Sequence, residues 1–167
     1  MCFGVPAGKF LGFIVSGRGI EANPAKIRAL TQLDIPKDLK QIQKLTRCVA
    51  ALSRFISCLG EKALPLYRLL RRTEHFEWTD AATAGLEEIK AVLATNPVLA
   101  APILGEPMLL YIAATHQVVS AVLVVERETK GHKFPLQKPV YYVSIVLTPC
   151  KSRYPHNQKI AYAVFMA

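Results

Sequence analysis

Lys40, Lys44, Arg47 and Arg54 are spaced by four, three and seven residues. At about 100° per residue they fall within an arc of roughly 80° on one helical face. No Asp or Glu stands three or four residues from any of them. The four cations therefore gain nothing from pairing along the helix and repel one another, a cost that a polyanion relieves. The chemistry such a stripe offers is neutralisation of phosphates, although a solvated helix face is the other reading of the same pattern.

Bond-making chemistry finds less support. The chain has only three aspartates, Asp34, Asp38 and Asp80, all in loops or helix starts, and the run 108–125 contains no acid. A two-metal centre needs several carboxylates converging on cations about 4 Å apart, so no metal site is expected. His75, His116, His132 and His156 fall in loops or element ends, none in a nucleophile setting, and are expected at the surface. Cys2, Cys48, Cys58 and Cys150 form no C-x-x-C pair and have no histidine at ligand spacing, which disfavours zinc and reads them as small buried hydrophobes. The segment Gly4-Val5-Pro6-Ala7-Gly8-Lys9 is one residue short of a phosphate-binding loop. Phe10 stands where that loop needs a hydroxyl, and Pro6 removes an N–H donor.

The elements that must hold these residues follow from pattern. The apolar run Lys9–Ser16 predicts a strand, turned by Gly17-Arg18-Gly19, with Ile20 starting the return. Asn23-Pro24 signals the start of a helix through Leu30. From Asp38, the positions Leu39, Ile42, Leu45, Val49, Leu52 and Ile56 predict one helix to about Ser57, stopped by Gly60. Thr79 is the expected cap of a helix burying Leu86, Ile89, Val92 and Leu93 and closed by Asn96-Pro97. Three runs, Met108–Ala114, Val118–Val125 and Pro139–Leu147, predict an antiparallel meander, and Gln158–Ala167 opens a further helix.

With 167 residues, 51% of them hydrophobic and 20% charged, disorder is excluded as a description of the whole chain. The net charge of +9 is uneven: residues 1–75 hold 13 Lys/Arg against 5 Asp/Glu, residues 76–167 hold 8 against 7. This predicts two units, with the polar run Arg71–His75 as their junction. No apolar stretch reaches the ~18 residues of a membrane span, and the start of the chain lacks a secretory pattern. The expectation is an intracellular protein, of cytoplasm or nucleus, with anionic partners and no membrane.

Phe10-Leu11-Gly12-Phe13-Ile14-Val15-Ser16, Gly19–Ile27, Leu52-Ser53-Arg54-Phe55-Ile56, Phe76-Glu77-Trp78-Thr79, Asn96-Pro97-Val98-Leu99 and Tyr141-Tyr142-Val143-Ser144 follow one another in family order. With these landmarks the chain resembles the pol polyprotein of gypsy-class LTR retrotransposons, from the end of the reverse transcriptase palm into the RNase H domain. The resemblance implies an α+β fold in three parts. Residues 1–22 are the palm end with a primer-grip-like hairpin, residues 23–75 the helical thumb or connection, and residues 76–167 an incomplete RNase H-like antiparallel sheet with flanking helices.

The resemblance also implies an RNA–DNA hybrid or DNA duplex as partner, contacted by Lys40, Lys44, Arg47 and Arg54 and by Phe10 and Gly12 of the hairpin, with other parts of the polyprotein as further partners. The family works with magnesium, and here the chain departs from it. The polymerase aspartates lie upstream of Met1 in such proteins, Ala113 occupies the position of the first RNase H aspartate, and Ile160 that of the helix glutamate. The resulting expectation is a truncated piece with no cofactor, no metal and no catalysis of its own, binding nucleic acid without sequence preference. A protein-interaction module, a functionless remnant, and hydrolysis through substitute carboxylates such as Glu126 or Glu128 are the alternatives.

Overall fold

The computed structural model describes residues 6–71, 76–128, 131 and 133–167. Strands β1 (Ala7–Phe10) and β2 (Phe13–Ser16) pair antiparallel, Phe10 opposite Phe13. The single strand expected over Lys9–Ser16 is thus broken in the middle. Leu11 and Gly12 take φ of 48° and 82°, and two successive left-handed residues make the tight turn whose twist matches a hairpin. Strand β3 (Gly19–Ala22) pairs with β2. Helix α1 (Pro24–Thr31) then starts as expected, the Asn23 side chain accepting the Ala25 N–H.

Helix α2 (Leu39–Ala50) is capped by Asp38, whose carboxylate accepts the Gln41 N–H at 2.7 Å, and it buries Ile42, Leu45 and Val49. The helix expected to reach Ser57 ends at Ala50. A single 3-10 turn at Ser53–Phe55 follows, then Cys58 at φ 52°, and then helix α3 (Leu59–Leu69). Beyond the break, the adjacent Phe55 and Ile56 both enter the core beside Leu52. Gly60, expected as a stop, lies in the first turn of α3. A Cβ there would sit 2.7 Å from Val118 Cγ1 and 2.9 Å from Ser144 Oγ, so close packing against the second sheet is what this glycine serves.

Helix α4 (Asp80–Ala94) is capped by Thr79, which accepts the Ala82 N–H, and it buries Ala82, Gly85, Leu86, Ile89 and Leu93. The two-residue strand β4 (Val98–Leu99) pairs with β3, completing a sheet of order β1-β2-β3-β4. One hydrophobic core joins Ile27 and Leu30 of α1, the inner faces of α2 and α3, Leu86, Ile89 and Leu93 of α4, and Leu99 of β4. The change of charge near residue 75 is therefore not a boundary between cores.

Strands β5 (Met108–Ala114), β6 (Val118–Arg127) and β7 (Leu136–Val146) form the expected meander, in that order, with a bulge between Leu123 and Val124. Its two faces are covered differently. Ile112, Ala114, Val119 and Ile145 pack with Tyr162 and Ala163 of helix α6 (His156–Met166). On the opposite face, the Gly60 N–H donates to Ser144 Oγ at 2.8 Å, and Ser144 and Ser120 share a hydroxyl hydrogen bond of 2.7 Å. A short helix α5 (Pro149–Ser152), absent from the sequence expectation, is started by Thr148 capping the Lys151 N–H.

Among the described residues no helix is long and apolar enough to cross a membrane. The cysteines depart from their expected burial: Cys58 and Cys150 are exposed and Cys48 is half-buried. Cys2, His75 and His132 lie outside the described residues. His116 and His156 are at the surface as expected.

Candidate nucleic-acid interface

Lys40, Lys44 and Arg47 are exposed on the face of α2 opposite Ile42, Leu45 and Val49, which are at most 1% exposed. From Lys40 to Arg47 the stripe runs roughly 10 Å at the α-helical rise. The ion pairs among the described residues are Arg18–Glu21, Lys90–Glu87 and Arg127–Glu106, so no carboxylate neutralises the stripe. Three like charges on adjacent turns, held by a helix anchored in the core, form a rigid cationic edge.

Arg54 does not belong to this stripe. Because α2 ends at Ala50, Arg54 rides on the 3-10 turn, its guanidinium carbon 5.9 Å from the Phe13 ring centroid and 5.4 Å from that of Tyr141. It bridges the two sheets as a cation–π clamp.

The hairpin residues Phe10 and Gly12 lie elsewhere again, at the β1–β2 turn, where Phe10 is 65% and Leu11 80% exposed. Sequence reasoning missed Lys26. Its Nζ lies 5.6 Å from the Phe13 centroid and 2.8 Å from where a Gly12 Cβ would be. Nothing in the local pattern of α1 marks it, since the contact exists only once the hairpin has folded onto that helix.

Ala113 lines a depression of about 140 Å³ with Ser57, Cys58, Tyr111, Ser120 and Tyr142. Burial raises the Tyr142 phenol above its ordinary pKa, and Cys58 adds to the shift. No carboxylate lines this depression, and a magnesium ion, which takes hard oxygen ligands in an octahedron, does not suit its residues. Ile160 is not among the lining residues. Helix α6, which carries it, covers the Ile112/Ala114 face of the sheet, whereas alternation along β5 turns Ala113 to the other face.

Glu126 offers no substitute ligand. It lies six residues along β6 from Ser120, the cross-strand partner of Ala113, which is roughly 20 Å of strand. Its carboxylate accepts a hydrogen bond from Gln137 Nε2 at 3.0 Å. Glu128 is exposed beyond the end of β6. Among the described residues no group of three or more His, Cys, Asp or Glu side chains could hold a metal ion.

Residues 78–167 match the family described as the RNase H-like domain found in reverse transcriptase. The chain is 30% identical over 155 residues to the Gag-Pol polyprotein of Koala retrovirus, covering 93% of this chain and 9% of that polyprotein. It is 25% identical to the retrovirus-related Pol polyprotein from transposon opus of Drosophila melanogaster, of which it spans 16%. Among solved structures, the foamy viral protease-reverse transcriptase in complex with RNA/DNA hybrid superposes with a TM-score of 0.77 at 23% identity, over 96% of this chain and 21% of that one. At that identity the likeness is one of fold.

Proposed function

Because the chain belongs to the RNase H-like domains found in reverse transcriptase, we propose that it grips nucleic acid duplex as part of a retroelement polyprotein and performs no bond chemistry of its own. The observation that carries this reading is the unneutralised stripe Lys40, Lys44 and Arg47 on α2. Structures of the foamy viral protein with RNA/DNA hybrid and with double-stranded DNA support duplex as the ligand class. Phosphate contacts carry no sequence information, so binding is independent of sequence. Phe10 and Gly12, with Lys26 behind them, form a second exposed edge for a strand of the duplex. A gypsy-class origin belongs to the same reading and rests on the landmark motifs, Leu52–Ile56 and Tyr141–Ser144 among them.

The catalytic part of the reading rests on Ala113 and Ile160. Two-metal hydrolysis needs several carboxylates on one pair of cations. The depression around Ala113 has none among its lining residues, and work without a cofactor is part of the same proposal.

Labelled RNA–DNA hybrid titrated against ionic strength, with magnesium present, tests both parts. The expected affinity falls linearly on a log–log plot with salt, and Lys40→Gln/Lys44→Gln/Arg47→Gln reduces the slope by about one unit per lost phosphate contact. The hybrid stays intact. Salt-independent binding, or none, overturns the gripping role, and magnesium-dependent cleavage overturns the catalytic part.

A protein-interaction role is favoured by one feature, the uncharged edge strand β5, whose Met108, Leu109, Leu110 and Tyr111 are each 40% exposed or more. Sedimentation as a monomer at every concentration, without binding of an apolar dye, removes it.

A further inference from the structure

The described surface holds a second cationic feature, far from α2 in sequence. A cleft of about 200 Å³ opens between the C-terminal end of α3 and the junction of β7 with α5. Leu64, Val146, Leu147 and Pro149 form its apolar walls, and Tyr67, Arg68, Arg71, Gln117 and Ser152 supply its polar groups. None of these is a carboxylate. The wall formed by the end of β7 and by α5 belongs to residues 129–167, a stretch of the chain without a single Asp or Glu.

The polar groups are arranged as donors. Arg68 Nη2 donates to Gln117 Oε1 at 2.7 Å, which uses the amide's acceptor and leaves Gln117 Nε2 as a donor. Gln117 is itself held, its carbonyl accepting the Leu147 N–H at 2.7 Å. The remaining N–H groups of Arg68, the guanidinium of Arg71 and the Tyr67 hydroxyl, whose pKa burial raises and which therefore stays protonated, complete the set. The Ser152 hydroxyl already donates to the Pro149 carbonyl at 2.9 Å, so it fixes the α5 wall and is not a free donor. Two planar guanidinium forks, an amide and a phenol around a small cleft match a tetrahedral oxyanion.

We propose that the cleft between α3 and α5, with Arg68 and Arg71 as its charged groups, seats a phosphodiester of a nucleic acid strand and forms a second anchor separate from α2. This deepens the gripping role and rests on it. The same chemistry would take a free phosphate, so the two sources have to be separated by experiment.

The test uses the full chain and three probes: labelled RNA–DNA hybrid, labelled single-stranded DNA, and inorganic phosphate followed by the amide resonances of Gln117 and Ser152. Arg68→Gln/Arg71→Gln is expected to weaken strand binding about ten-fold and to lower the salt slope by one to two units, in addition to the effect of the α2 variant. Ser152→Asp, which places a carboxylate in the cleft without touching α3 or the Arg68–Gln117 bond, is expected to weaken it as much. It keeps the test valid if the double variant unfolds.

If the α2 variant weakens binding while both cleft variants bind with unchanged affinity and slope, the cleft is not an anchor and the gripping role stands. If the wild type binds no nucleic acid, both fail. Phosphate that moves the Gln117 and Ser152 resonances without any strand binding marks a site for small phosphates and overturns the proposal as stated.

Discussion

Arg54 lies across the ring of Tyr141, 5.4 Å from its centroid, and Tyr141 stands on a strand of the other sheet. The same guanidinium faces Phe13 of the hairpin at 5.9 Å. Arg54→Gln is therefore expected to cost about 0.5 to 1 kcal/mol in a urea denaturation while leaving the salt slope of hybrid binding unchanged. Lys44→Gln should do the reverse. A slope that drops in Arg54→Gln would return this residue to the phosphate-binding set.

Gly85 packs α4 against α3 so closely that a Cβ would lie 2.3 Å from the Lys62 carbonyl oxygen. Backbone cannot give way as a side chain can, and alanine's better helix propensity is outweighed. Gly85→Ala is expected to destabilise the fold by about 1 to 3 kcal/mol, read from the shift in urea midpoint at constant m-value. Unchanged stability would mean that the two helices can separate freely.

Glu106 accepts from Arg127 Nε and Nη2, both at 2.8 Å, and from the Ile103 N–H, and these bonds hold its carboxyl at about 2, well below the ordinary 4.5. A carboxyl lowered on folding contributes stability above its unfolded pKa and loses it as pH falls toward the folded one. Melting temperature is thus expected to decline from about pH 4.5 down to about 2 in the wild type, and Glu106→Gln should flatten that part of the profile. A wild-type profile that is already flat there would show that the pair is open in solution.

Ala113→Asp places one carboxylate in the depression shared with Cys58, Ser120 and Tyr142. One ligand does not make a metal pair. The variant is expected to leave RNA–DNA hybrid uncut in magnesium, and appearance of cleavage products would show that other ligands come to that face of the sheet.

What could be read from the sequence was local. The caps at Asn23 and Thr79 depend on one side chain and the next few N–H groups, and the meander depends on alternating apolar runs between turns. What escaped depended on distant partners. The apolar spacing through Leu52 and Ile56 continues the α2 pattern, and nothing in it marks the interruption after Ala50 that carries Arg54 off the stripe and seats Phe55 beside them. Gly60 has the same composition signal as a stop and as a close contact, and Val118 and Ser144 decide between them. Arg68 and Gln117, 49 positions apart, carried no joint signal at all.

The core that joins α1, α2 and α3 to α4 and β4 links the basic first part of the chain to the sheet that follows. Cutting the chain near residue 75 would leave Leu66 and Leu69 wet on one piece and Leu86, Ile89 and Leu93 wet on the other. The two halves named by charge share this core, so they are expected to melt in a single transition in calorimetry, and a fragment cut near residue 75 is expected to melt at a lower temperature than the whole chain.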